Sequence, residues 1–320
     1  MRLIKQVFSL CVPLAIFGSL GYVFLLSTKE GPETLSPDSS FQSLWGEPPS
    51  RIVSLVPAVT EILFALGAAH RLVGRTHWGT YPPTARTIPD VGDGMRPSLE
   101  IVLSVEPDVV LLYDGEGNRN VARRLKSLGV STLSLRHDTL LDLEANIALL
   151  GDLVGCPIAA AELFTQIRTG LEEVVQATHQ SDKPTVYWDA WAEPPITIGA
   201  GSFLDSLLRI AGAENIFSDQ SSSAPRVSLE SIIYRDPDLI LVPVRVSPAL
   251  VEPSLTKRSG WNRVPAVKEG RVSVLDQDLV SRLGPRVVDA AWLMARAIHP
   301  DLVQENVLPR ILVEPPPCNG

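Results

Sequence analysis

The chain is poor in the residues that most often carry catalysis. It has three cysteines, five histidines and three methionines in 320 residues, and aromatic residues make up only 6%. No two histidines lie three to five residues apart and no C-x-x-C occurs, so no zinc site or redox dithiol is advertised. G-x-S-x-G, H-E-x-x-H and the P-loop are also absent, which leaves enzyme readings without a motif. Gly199-Ala200-Gly201 lacks a third glycine at nucleotide-loop spacing and reads as a tight turn. Basic residues are outnumbered, 28 against 36 acidic, for a net charge of −8. A surface made to hold nucleic-acid phosphates needs the opposite balance.

What is present is ordinary globular material, 45% hydrophobic and 20% charged. At roughly 100–200 residues per domain, this length suggests two domains. The N-terminus is different. Arg2 and Lys5 precede an uncharged run from Gln6 to Thr28, which Lys29 and Glu30 end. Residues 1–28 therefore read as an export signal or a membrane anchor, with the rest of the chain outside. Residues 29–49, with Pro32, Pro37, Pro48, Pro49 and several serines, read as a tether. Cys11 lacks the small residues of a lipidation site. Cys156 and Cys318 are not at metal spacing, and a disulfide between them is compatible with an oxidising compartment.

From Arg51 onward, short β-rich runs alternate with helical stretches. Strands are expected at 51–56, 72–76, 108–113 and 131–135, then at 185–188, 196–198, 238–242 and 271–275. Such alternation indicates α/β lobes with mainly parallel sheets, one over 50–157 and one over 183–312, with 313–320 as a tail. Between them, Ala161, Leu163, Phe164, Ile167, Leu171, Val174 and Val175 recur at helical spacing. Residues 159–179 contain no proline and one glycine, so 158–182 is expected to hold one long connecting helix, about 30 Å in length.

The two lobes share an internal repeat. Residues 98–112 read SLEIVLSVEPDVVLL and residues 228–242 read SLESIIYRDPDLILV. Aligned without a gap, Ser98/Ser228, Leu99/Leu229, Glu100/Glu230, Pro107/Pro237, Asp108/Asp238 and Leu111/Leu241 match. Each copy reads as a serine-capped helix, a Pro-Asp turn and a buried strand, with the glutamate in the first helical turn. Two equivalent carboxylates, one per lobe, suit a partner with two-fold symmetry, such as a dimeric permease with one basic patch per subunit.

The segments RIVSLVPAVTEILFALGAAHRLVGRT, HWGTYPP, VGDGMRPSLEIVLSVEPDVVLL and GAENIF together resemble the class III periplasmic binding proteins. Nearest in pattern are the cobalamin and iron-siderophore receptors of ABC importers. The resemblance runs from about Arg51 to about His299. It implies two α/β lobes bridged by a long helix, a ligand held in the cleft between them, and no enzymatic activity. It also implies docking of Glu100 and Glu230 on arginines of a permease dimer that works with ATPase subunits. The implied cargo is a cobalt corrinoid or a ferric chelate, with no permanently bound cofactor. The cobalamin branch flanks its flat ligand with aromatics, and the matching positions here are Trp78, Tyr113 and Trp191, with Asp278 as an acidic partner. Ala224 and the Gly94-Met95 pair stand where that branch carries further aromatics.

Ligands of open α/β lobes meet loops at the carboxyl ends of strands, which here include Pro57, His77, Trp78, Tyr113, Trp191 and Asp278. Trp188 and Tyr81 read as core packing. His77 is either a ligand to haem iron or corrinoid cobalt or a solvated loop histidine. Arg226 and Arg282 are suited to a carboxylate or phosphate of a ligand, or to surface ion pairs. Two other readings stay open: a haem receptor of the same architecture, and a membrane-tethered cofactor-processing enzyme.

Overall fold

The computed structural model describes residues 47–190, 193–245 and 254–301, all within the unit Pro37–Gly320. The apolar run, most of the tether, Trp191, the tail and Cys318 lie outside the described residues. Among the described residues, no helix is long and apolar enough to cross a membrane.

The first sheet is fully parallel, in the order β2-β1-β3-β4. Its strands are β1 (Ile52–Ser54), β2 (Leu72–Arg75), β3 (Val109–Tyr113) and β4 (Ser131–Leu135). Helices α1 (Pro57–Ala65), α2 (Leu99–Ser104) and α3 (Glu116–Ser127) connect them. The inner strand β3 is buried from Val109 to Leu112, as expected for a parallel strand covered on both faces. Val53, Leu55, Val91, Val102, Val110, Leu112 and Leu125 form one face of this core.

Helix α4 (Leu140–Val154) opens with a reciprocal cap between Thr139 and Asp142 and closes at Gly155, whose φ of 78° only glycine adopts without strain. That turn leads into α5 (Pro157–Thr178), the connecting helix. Proline at its first position costs no hydrogen bond. Its buried face is Ala160, Leu163, Ile167, Gly170, Leu171, Val174 and Thr178. The expected stripe is off by one residue at its start, since Ala161 is exposed and Ala160 buried. A Cβ on Gly170 would lie 2.6 Å from Val288 Cγ1, so glycine here permits close approach of the last helix.

The second sheet repeats the order, as β6-β5-β7-β8, again fully parallel. Here β5 is Thr185–Trp188, followed by α6 (Phe203–Ile210), β6 (Glu214–Asn215), α7 (Leu229–Arg235) and β7 (Leu239–Val244). Then come α8 (Pro265–Lys268), β8 (Val272–Asp276), α9 (Gln277–Val280) and α10 (Val287–Ile298). The expected strand at 196–198 is instead a single antiparallel bridge, Ile196 to Arg226. The edge strand is the two-residue β6 inside GAENIF. Buried Asn215 positions it, donating to Ile198 O at 3.0 Å and Asp205 Oδ1 at 2.9 Å and accepting from Phe217 N at 3.0 Å.

The internal repeat extends to backbone detail. Ser98 and Ser228 both accept from the amide three residues on. Glu106 and Asp236, at matching positions, both take positive φ, 42° and 44°. Asp108 Oδ2 accepts from Ser50 N and Arg51 N, each at 2.9 Å, and so ties the start of β1 to β3. Asp238 Oδ2 does the same for β5, accepting from Thr185 N at 2.8 Å, and that amide and hydroxyl hold the Asp238 carboxyl below its usual pKa.

Candidate functional site

The two lobes meet at α1 and the loop after β2 on one side, and at the segment from α9 to α10 on the other. Helix α1 is buried along its length except at Pro57, its half-buried first residue. Its one charge, Glu61, is fully buried. Arg286 grips that carboxylate in a fork, Nε to Oε2 at 2.9 Å and a terminal nitrogen to Oε1 at 2.7 Å. Arg282 adds a bond to Oε1 at 3.1 Å and donates to the Trp78 carbonyl at 2.9 Å and to Asp278 Oδ1 at 3.3 Å. A buried carboxylate survives only with such partners. Burial alone would depress the Arg286 pKa, but the hydrogen bonds and charge of Glu61 outweigh it and raise the pKa. The Arg286 guanidinium also lies 3.8 Å from the Tyr81 ring centroid.

The loop after β2 carries His77 and Trp78, with ring centroids 4.3 Å apart and planes tilted by 59°. Trp78 is 41% exposed, a large apolar surface left in water. Over its ring, at 3.9 Å, sits the guanidinium of Arg245, which also lies 3.8 Å from Asp278. Loop shape is held by His77 N to Gly92 O at 3.0 Å and Gly79 N to Thr76 O at 2.8 Å. The site therefore joins a rigid aromatic face, three guanidiniums from the second lobe, those of Arg245, Arg282 and Arg286, and a half-exposed carboxylate.

The structure thus brings His77, Trp78 and Asp278 together, with Pro57 opening the helix that carries Glu61. Tyr113, at the end of β3, points its hydroxyl at Asp138 and donates to Oδ1 at 2.9 Å. Burial, and then the Asp138 carboxylate, raise its pKa. The Asp138 carbonyl accepts from Phe203 N, at the start of α6, at 2.8 Å, so Tyr113 lies beside a second crossing between lobes. Next to it, His137 is pushed down to about 4 by burial, against the opposing charges of Asp142 and Asp138 and the Leu283 backbone. Trp191 lies outside the described residues. Trp188 is 2% exposed, in agreement with a core role. Tyr81 is half-buried beneath Arg286. Arg282 forms an ion pair, though a buried one. Glu100 and Glu230 are exposed in the first turns of α2 and α7. Beside Glu230 is a depression of about 410 Å³ whose lining includes Glu193, Arg226 and Trp261. Among the described residues there is no cluster of three or more His, Cys, Asp or Glu able to hold a metal ion.

Sequence reasoning missed Glu61, Arg286, Arg245 and the buried pair Asp189–Arg258, whose bonds are 3.1 and 2.9 Å. Glu61 carried a readable signal, a lone charge inside the apolar stretch VPAVTEILFA. Arg245 carried none.

The profile of the family described as "Periplasmic binding protein" matches residues 52–279. A Bacillus subtilis protein named "Uncharacterized ABC transporter substrate-binding lipoprotein YvrC" is 30% identical over 285 residues, 87% of this chain and 89% of that one. A "Cobalamin-binding protein" of Halobacterium salinarum is 30% identical over 264 residues, covering 78% and 70%. Among solved structures, the periplasmic heme-binding protein RhuT from Roseiflexus superposes with a TM-score of 0.71 at 26% identity, over 80% of this chain and 99% of that one. Two parallel-sheet lobes and the bridging helix agree with these matches. The chain belongs to the periplasmic binding protein family and is an extracytoplasmic solute-binding receptor rather than an enzyme.

Proposed function

We propose that this receptor captures a cobalt corrinoid or a ferric chelate between its lobes and delivers it to a dimeric ABC permease with its ATPase subunits. The observation that carries the reading is the Trp78 face at the lobe junction. Among the described residues it is two-fifths exposed, with the His77 ring beside it and the half-exposed guanidinium of Arg245 over it. A flat macrocycle displaces that guanidinium and stacks on the indole, while Arg245, Asp278 and the hydroxyl of Tyr113 meet its polar rim. Trp191 stands in the same reading as a second aromatic wall. The Halobacterium relative's name supports a corrinoid as cargo.

His77 favours a second reading, haem, because its ring lies 4.3 Å from that of Trp78 and an imidazole is a suitable axial ligand. The likeness to the Roseiflexus heme-binding protein supports it. Absorbance titration of the purified receptor with cyanocobalamin, haemin and ferric siderophores decides. A saturable corrinoid or siderophore complex is expected. A haem spectrum lost in His77→Ala selects the second reading, and no binding across the panel rejects both.

Glu100 and Glu230 serve as the docking points for basic residues of the permease. The N-terminal run holds the receptor at the outer face of the membrane if it is retained.

A further inference from the structure

Arg245 follows β7 in the second lobe and reaches the aromatic face of the first. Its guanidinium carbon lies 3.9 Å from the centroid of the Trp78 ring, and its Nε lies 3.8 Å from Asp278 Oδ1. The second distance is too long for a hydrogen bond. That same carboxylate oxygen accepts from Arg282 at 3.3 Å, so one half-exposed carboxylate serves two guanidiniums. Arg282 and Arg286 have a stronger partner, since both bind buried Glu61 and both side chains are nearly buried themselves. Arg245 differs from them. Its side chain is 45% exposed, and its charge rests on an aromatic face and a shared anion.

We propose that Arg245 sets the charge class of the cargo. It selects a flat chelate whose rim carries an oxyanion, a carboxylate or a phosphate, over an uncharged chelate of the same shape. The inference rests on the stacking of cargo on Trp78 proposed above. A ring system that takes the indole face ends the cation–π contact of Arg245. The guanidinium then faces Asp278, whose near oxygen Arg282 already uses. A cargo oxyanion at the rim meets this cation through two parallel N–H donors, the geometry in which arginine binds carboxylate and phosphate best. An uncharged rim displaces the same guanidinium and gives it no ionic partner in exchange. The net charge of −8 offers an anion no general attraction to the chain, so the preference has to arise at this rim.

The test titrates the purified receptor with two pairs of chelates, followed by absorbance in one detergent buffer. Haemin, with two carboxylates, is paired with its dimethyl ester. Cyanocobalamin, with a phosphodiester, is paired with dicyanocobinamide, which has none. In the wild type, the oxyanion-bearing member of at least one pair is expected to bind on the order of tenfold tighter than its counterpart. Which pair responds identifies the oxyanion as carboxylate or phosphate. In Arg245→Gln that ratio is expected to fall severalfold, through weaker binding of the oxyanion-bearing member, and Arg245→Lys is expected to restore part of it as a point charge. An equal ratio in the wild type and Arg245→Gln overturns the proposal, as does equal binding within both pairs by the wild type. Trp78→Ala separates the two readings. Binding that Trp78→Ala weakens while Arg245→Gln leaves the ratio unchanged defeats the charge selection alone. Binding of none of the four chelates, or binding untouched by Trp78→Ala, defeats the stacking reading and the charge selection with it.

Discussion

Glu61 and Trp78 lie within one cluster, joined through Arg282, but their burial gives them different tasks. Glu61 is sealed from water between two guanidiniums. Removing its charge leaves Arg282 and Arg286, each near one-tenth exposed, without their main anion. Glu61→Gln is therefore expected to cost about 3–5 kcal/mol, read as a lower urea midpoint in equilibrium unfolding. Trp78 is two-fifths exposed, so Trp78→Ala should leave that midpoint nearly unchanged. Ligand affinity should instead weaken by about 1–3 kcal/mol in calorimetry. His137 adds a pH dependence. Its folded pKa of about 4 lies below the ordinary 6.5, so the unfolded chain takes up the proton first as pH falls. Stability is unaffected by this group above about pH 6.5 and declines between about 6.5 and 4, by on the order of 3 kcal/mol. Urea midpoints measured across that window should fall in the wild type and fall less in His137→Gln. At this scale the sequence showed the aromatic side of the site better than its ionic side. Trp78 and His77 are neighbours in one loop, whereas Glu61 meets its arginines across 221 and 225 residues. Only the fold creates that proximity.

The connecting helix was legible because its pattern is local. An apolar stripe without proline over two dozen residues admits little but a helix, and α5 spans Pro157–Thr178. Most strands were legible for the same reason, as compact Val/Ile/Leu runs. Two places failed for opposite causes. Ile196–Ile198 has strand composition but finds only one bridge, because Pro194 and Pro195 precede it and its carbonyl and amide partners lie in loops. Glu214–Asn215 has no strand composition and becomes an edge strand through the side-chain bonds of Asn215. An unbroken helix gripped by α4 on one side and α10 on the other bends little. X-ray scattering profiles with and without ligand should therefore nearly superpose, and a large compaction would mean that α5 yields as a hinge.

For the whole molecule, the paired lobes matter more than either alone. Each carries the same strand order, the same capped helix and the same exposed glutamate, and the match reaches to the left-handed residues Glu106 and Asp236. Such equivalence suits a partner that is itself duplicated. One exposed ion pair contributes only about 0–1 kcal/mol, so a single reversal, Glu100→Lys or Glu230→Lys, should weaken uptake in reconstituted vesicles. The double reversal should abolish uptake and leave ligand affinity in solution intact, with wild-type docking weakening as salt rises. Normal uptake by the double variant would reduce the repeat to a record of common ancestry.

The bonds between Glu61 and its arginines also set a clock. Parting the lobes along that seam strips a buried carboxylate of its partners, a motion on the microsecond to millisecond scale at best. Arg245 stands at the rim with nearly half its side chain in water, and a rotamer change there takes picoseconds to nanoseconds. Cargo that enters by moving Arg245 aside waits for no domain movement. If cargo stacks on Trp78 as proposed, its capture is limited by diffusion to the rim and its residence time by the strength of that stack.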